Sequence, residues 1–159
     1  MKYILITFSL IIIGAIGFFL WQEQATPFVY QPYTSNNLKL EVDRGISPTQ
    51  IQERNEQIRM IQETIAKFDD KTTPEARINT LFSLFAQKDF IGKYGDAKKA
   101  LEQILEIEVS HNVLQVYASL LAKMGDNTAA IKYIDGAITM MPRETNLWRT
   151  KIDMERARL

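Results

Sequence analysis

The chain has 159 residues, is 46% hydrophobic, carries 19 basic and 19 acidic side chains, and contains no cysteine. That length holds one domain. The balanced charge leaves no footprint for nucleic acid, and the missing cysteine excludes disulfides, thiol catalysis, Cys-ligated zinc and a cysteine-linked lipid anchor.

The hydrophobic excess is concentrated at the start. Residues 1–21 hold a single charge, Lys2, and Tyr3 to Trp21 runs uncharged. As a helix this run is about 28 Å long, close to a bilayer's hydrocarbon thickness. Trp21 and Tyr3 stand where interfacial aromatics belong. A transmembrane signal-anchor over 1–21 is therefore expected. A cleaved signal peptide is the alternative, with Ala15 and Gly17 or Ala25 at the cut. Lys2 precedes the apolar run and no basic residue follows until Lys39. That bias implies a single pass through the inner (cytoplasmic) membrane, with a cytoplasmic N-terminus and an extracytoplasmic domain, periplasmic in a Gram-negative cell.

Residues 22–46 lack helical period and are broken by Pro27, Pro32, Ser35-Asn36-Asn37 and Gly45. They read as a tether or linker. Phe28, Val29, Tyr30 and Tyr33 admit a second reading, a strap packed on the domain or on a membrane partner.

From Ser47 onward the pattern is helical. Ser47-Pro48 is an N-cap followed by proline at the first helical position. It opens an amphipathic helix within 47–71, with a narrow seam of Ile51, Ile58, Ile61, Ile65 and Phe68. The seam suits packing on the following helices, or pairing with a second copy through 47–68. Thr73-Pro74 opens the next helix by the same device. Its apolar residues Ala76, Ile78, Leu81, Phe82, Leu84 and Phe85 cover most of its circumference, which predicts a central position. A turn at Gly92 to Gly95 follows, then helices over 97–108, 111–124, 127–141 and 144–159.

A 33-residue offset relates two of these stretches. Ala97, Leu101, Ile104, Leu105, Ile107 and Val109 recur as Ala130, Ile134, Ala137, Ile138, Met140 and Pro142. Between them, Leu114, Tyr117, Ala118 and Leu121 fall on the spacing W-x2-L-G-x2-Y, and Ala130, Ile134, Ala137 and Pro142 on A-x3-F-x2-A…P. Gly125-Asp126 makes the turn between the two helices. On these residues the chain resembles the tetratricopeptide repeat family. The clear repeat is 111–144; a degraded copy with a longer turn precedes it; Trp148 begins a half-repeat, a capping helix over 144–159. The fold class expected is all-α: a single N-terminal transmembrane helix, an extra amphipathic helix, and a repeat domain over 72–159 of about two and a half hairpins.

The resemblance implies a peptide groove lined by the first helix of each hairpin: Asn79, Phe82 and Ser83, then Asn112, Gln115, Ser119 and Lys123, with Asn146 and Arg149 closing it. Amide side chains offer both donors and acceptors to a peptide backbone. The Lys/Asn set of the family's carboxylate clamp is missing, so capture of chaperone C-termini is not implied.

Catalytic chemistry finds no footing. His111 is the one histidine, there is no glycine-rich phosphate loop, and Glu102, Glu106 and Glu108 are expected on an exposed helix face. No catalytic residue, metal ligand or cofactor is assigned. The function expected is that of a membrane-anchored protein-binding module, acting as scaffold, assembly factor or accessory subunit of a membrane or secretion complex. The alternative is a self-associating structural subunit without a groove.

Overall fold

The computed structural model describes residues 28–158. They form a strap, 28–46, followed by six helices: α1 Pro48–Ile65, α2 Pro74–Phe90, α3 Tyr94–Ile107, α4 His111–Lys123, α5 Asn127–Met140 and α6 Thr145–Arg158. No strand occurs among the described residues.

The expected membrane topology needs correction. Among the described residues no helix is long and apolar enough to cross a membrane. Even α1, at 18 residues, carries Glu53, Arg54, Glu56, Arg59 and Glu63 along its length, and each would have to be desolvated. The expected span Tyr3–Trp21 lies outside the described residues. The described residues therefore form a strap and a helical array without a transmembrane helix. The signal-anchor and the single-pass inner-membrane placement with an extracytoplasmic domain are not carried forward.

Local sequence chemistry sets the helix ends. The Ser47 hydroxyl accepts from the Gln50 amide while the Gln50 side chain accepts from the Ser47 amide, a reciprocal cap. Thr73, Ser110 and Asp126 cap α2, α4 and α5 in the same sense, accepting from Ala76, Val113 and Ala129. Both hairpin turns follow one scheme. After α2, the Gly92 amide donates to the Asp89 carbonyl and Lys93 to Lys88; after α4, Gly125 donates to Ala122 and Asp126 to Leu121. Each needs a left-handed residue, and Gly92 and Gly125 supply it with φ of 77° and 95°. The turn of the first hairpin is therefore not longer than that of the second. The extra length expected there is absorbed by α3, which begins at Tyr94 and takes Gly95 into its first turn.

Helices α2 and α3 pair as one hairpin and α4 and α5 as the next; α6 packs on α5 and α4, and α1 packs on α2. The 33-residue offset is visible in the core. Ala97 and Ala130, Leu101 and Ile134, Ile104 and Ala137, and Leu105 and Ile138 are all buried. Ile107 and Met140, the next pair, are exposed. α2 is less central than its composition suggested: Leu81 and Lys88 are buried, while Phe82, Leu84 and Phe85 are only half covered. The best-buried helices are α4 and α5, where Tyr117, Leu120, Leu121, Tyr133 and Ile134 are almost wholly enclosed. The α1 seam faces inward at Ile58, which is buried, and at Ile61 and Ile65, which are half-buried, while Ile51 at its start stays exposed. The opposite side is polar apart from the exposed Met60, and Arg59 there pairs with both Glu56 and Glu63.

Residues 28–46 do not hang free as a tether. The Lys39 amide donates to the Met124 carbonyl (3.0 Å), the Gly95 amide to Leu40 (2.8 Å) and the Val42 amide to Gly92 (3.0 Å). The strap thus crosses the turn ends of both hairpins. Phe28, Tyr30, Tyr33, Leu38 and Val42 add their side chains to the core.

Candidate functional site

Two surfaces compete for a role: the side of the array covered by the strap, and the open side of the first helices.

On the covered side α3 and α5 do not pack directly on each other. Tyrosines fill the crevice. Tyr117 and Tyr133 meet edge to face at 4.8 Å, and Tyr30 of the strap stands on both, at 6.2 and 6.3 Å between ring centroids. Phe28 completes the stack against Tyr133, with its ring seated over Gly136. Polar tips are mostly satisfied. The Tyr117 hydroxyl donates to Glu102 (3.0 Å), which also receives Lys98 (2.6 Å); the Tyr133 hydroxyl donates to the Gln31 carbonyl (2.6 Å), and Tyr33 to Asp126 (2.5 Å). Glu102 is thus half-buried and paired, not the exposed carboxylate its spacing suggested. Burial first, and the Glu102 charge second, push the Tyr133 hydroxyl up to about 12 and those of Tyr30 and Tyr117 higher still. These phenols stay neutral, and those of Tyr117 and Tyr133 act as hydrogen-bond donors.

One tip is left over. The Tyr30 hydroxyl is buried without a hydrogen-bond partner among the described residues. A buried unpaired hydroxyl costs about 1–3 kcal/mol. Tyr30→Phe is therefore expected to melt no lower than the wild type and up to several degrees higher. A lower melting temperature would mean that the hydroxyl is satisfied.

On the open side, seven of the nine residues expected to line a groove are divided among three depressions and two cross-links. Asn79 and Ser83 lie in a depression of about 620 Å³ between α1 and α2, opposite Arg54, Gln57, Met60 and Thr64 of α1. Phe82 and Asn112 lie in a second, of about 560 Å³, walled by Thr73, Pro74 and Glu75 at the start of α2 and by Glu108 and Ser110. Ser119 lies in a third, of about 370 Å³, with Asn127 and Thr150. Gln115 donates to Thr150 across α4 and α6 (3.0 Å), and Lys123 reaches Asp89 of the preceding hairpin (2.8 Å), so both hold the array together. Asn146 and Arg149 are exposed on α6 and line none of these depressions.

The α1 wall was the unforeseen part. Arg54 bonds Gln57 and Gln87 at 3.1 and 3.0 Å and lies 4.5 Å above the Phe90 ring. The alternation of isoleucines with Gln and Arg along α1 was the available signal, since residues flanking a packed seam border any cleft beside it. Among the described residues no group of three or more His, Asp or Glu side chains could hold a metal ion. The chain matches no protein-family model and no curated protein sequence.

Proposed function

We propose that the chain is a protein-binding module, a scaffold, assembly factor or accessory subunit that holds an extended segment of a partner against the first-helix side of its hairpin array. One observation carries this reading. The array's two sides differ: on one the α3–α5 crevice is filled by the strap's aromatics, with about 450 Å³ left between the strap and α3, while the other keeps two larger depressions lined by Asn79, Ser83, Phe82 and Asn112. Their mixture of amide, hydroxyl and aromatic groups matches what an extended peptide presents, alternating backbone donors and acceptors with side chains. The resemblance of residues 111–144 to a tetratricopeptide repeat supports the same reading. The self-association alternative is less well supported, because the isoleucine seam that would mediate it is turned onto α2.

The test is affinity purification of the full chain beside Ser83→Arg and Asn112→Arg. Both positions are exposed, so melting should stay within about 1–2 °C of the wild type. A stoichiometric partner retained by the wild type should bind at least about tenfold more weakly to one or both variants, a loss of roughly 1.4 kcal/mol. Absence of any stoichiometric partner, or equal retention by both variants, would refute the proposal.

A further inference from the structure

The largest open-side depression depends on how its α1 wall is held. Among the described helices α1 packs only on α2, and Ile58 is its only buried residue. Such thin packing puts an element at the low end of local stability. Its start has a second support. Ser47 alone separates α1 from the strap, and the last residues of the strap are fastened to the end of α2. The Val42 amide donates to the Gly92 carbonyl, and the Arg44 guanidinium donates to the Asp89 carbonyl at 2.9 Å. Val42, Arg44 and Ile46 share a recess of about 320 Å³ with Ile51 of α1 and with Ile91. The same stretch receives Arg54 of α1, at Gln87 and Phe90, and Lys123 of α4, at the Asp89 carboxylate. Residues 87–92 are thus a junction to which the strap, α1 and α4 are all tied.

The other end of the strap is seated elsewhere. Phe28, Tyr30 and Tyr33 stand on Tyr133 of α5, and Tyr30 also on Tyr117 of α4. Helix α1 packs on neither of those helices. We propose that the strap and α1 undock and redock as one unit, so that docking of the aromatic strap governs whether the α1–α2 depression exists. In the docked state every wall is present. In the undocked state α1 loses its tie to the junction, and the depression loses Arg54, Gln57, Met60 and Thr64, while α2 to α6 stay folded. A segment bound in the depression meets the docked state alone, so it strengthens strap docking by the same factor by which docking favours its binding. The joint motion is a property of the chain itself; its control over binding rests on the function proposed above.

The test uses the full chain, whose lack of cysteine permits a single engineered disulfide. A Cβ at Gly95 would lie 3.4 Å from that of Leu40, close to the roughly 3.5–4.5 Å of a disulfide. Leu40→Cys with Gly95→Cys therefore pins the strap to α3, at a distance from α1. Hydrogen exchange is followed by mass spectrometry. Residues 48–65 are expected to exchange faster than α4 and α5. Oxidation of the double-cysteine chain should slow them at least about fivefold relative to its reduced form, and Phe28→Ala with Tyr30→Ala should speed them at least about tenfold. Equal exchange at 48–65 in the oxidised and reduced chains overturns the proposal, because α1 then leaves without the strap. So does exchange at 48–65 as slow as in α4 and α5, because α1 then opens only with the whole fold. If the alanine variant does not fold, the disulfide comparison decides. A partner weakened by Ser83→Arg yet held equally by the oxidised and reduced chains would also overturn strap control of the depression. Absence of any partner bears on the proposed function alone and leaves the exchange result to decide.

Discussion

Gly92→Ala is expected to destabilise the protein by at least about 2 kcal/mol and to release the strap. Two effects add. The left-handed conformation costs an L-residue roughly 1–2 kcal/mol, and a methyl group at this position would collide with the Val42 carbonyl oxygen. That oxygen belongs to backbone, so the strap itself has to move, and the hydrogen bond from Val42 to Gly92 goes with it. Gly125→Ala is the matched control. Its φ is also positive, but nothing lies within 4 Å of the added carbon. It should pay only the conformational cost and keep the strap docked. Thermal melting gives the first comparison. Trypsin gives the second, since Lys39 and Arg44 lie within the strap: cleavage there should accelerate in Gly92→Ala and stay near the wild-type rate in Gly125→Ala. Equal behaviour of the two variants would show that the strap does not depend on this approach.

Tyr133→Ala should be more damaging still, at about 3–5 kcal/mol, the usual range for deleting an enclosed aromatic. The ring is 1% exposed and has edge or tilted contacts with Phe28, Tyr30, Tyr33 and Tyr117. Among the described aromatic residues of the array it alone pairs with all three strap aromatics. Tyr133→Phe keeps the ring and removes only the hydroxyl that bonds the Gln31 carbonyl, so about 1 kcal/mol is expected. Chemical denaturation of the two variants beside the wild type separates packing from hydrogen bonding. Should Tyr133→Ala cost no more than Phe90→Ala, at an exposed position, the aromatic crevice would not be the stabilising centre described above.

Local chemistry was the legible part of this chain. Ser47-Pro48 and Thr73-Pro74 announced two helix starts because a cap hydroxyl and a ring-fixed φ act over three or four residues. The 33-residue offset exposed the two hairpins because equivalent positions, such as Ala97 and Ala130, carry the same packing constraint. The strap was harder to read. Its residues have no period, and the groups that hold it, Tyr133 and Asp126, lie about a hundred positions away. Its aromatics showed only that the segment was unsuited to solvent. The open side divided into depressions for a similar reason: α1 supplies half of the largest one, and whether its polar flank bordered α2 depended on how two helices crossed. Gln115 and Lys123 look like groove residues by register, yet Thr150 and Asp89 lie within their reach and claim them. The expected membrane span falls on residues outside those described.

The strap also constrains the order of events during synthesis. Tyr33 bonds a residue 93 positions later, and the Gln31 carbonyl receives a hydroxyl from 102 positions later. At roughly 5–20 residues per second, a ribosome needs about 5–20 s to deliver Tyr133 after Gln31. Throughout that interval Phe28, Tyr30 and Tyr33 have been made and their seat has not. Each hairpin closes over neighbours only tens of residues apart, so local contacts form early and the strap docks last. The nascent chain therefore passes through a stage in which its aromatic segment is available to a chaperone and the α3–α5 crevice is still empty.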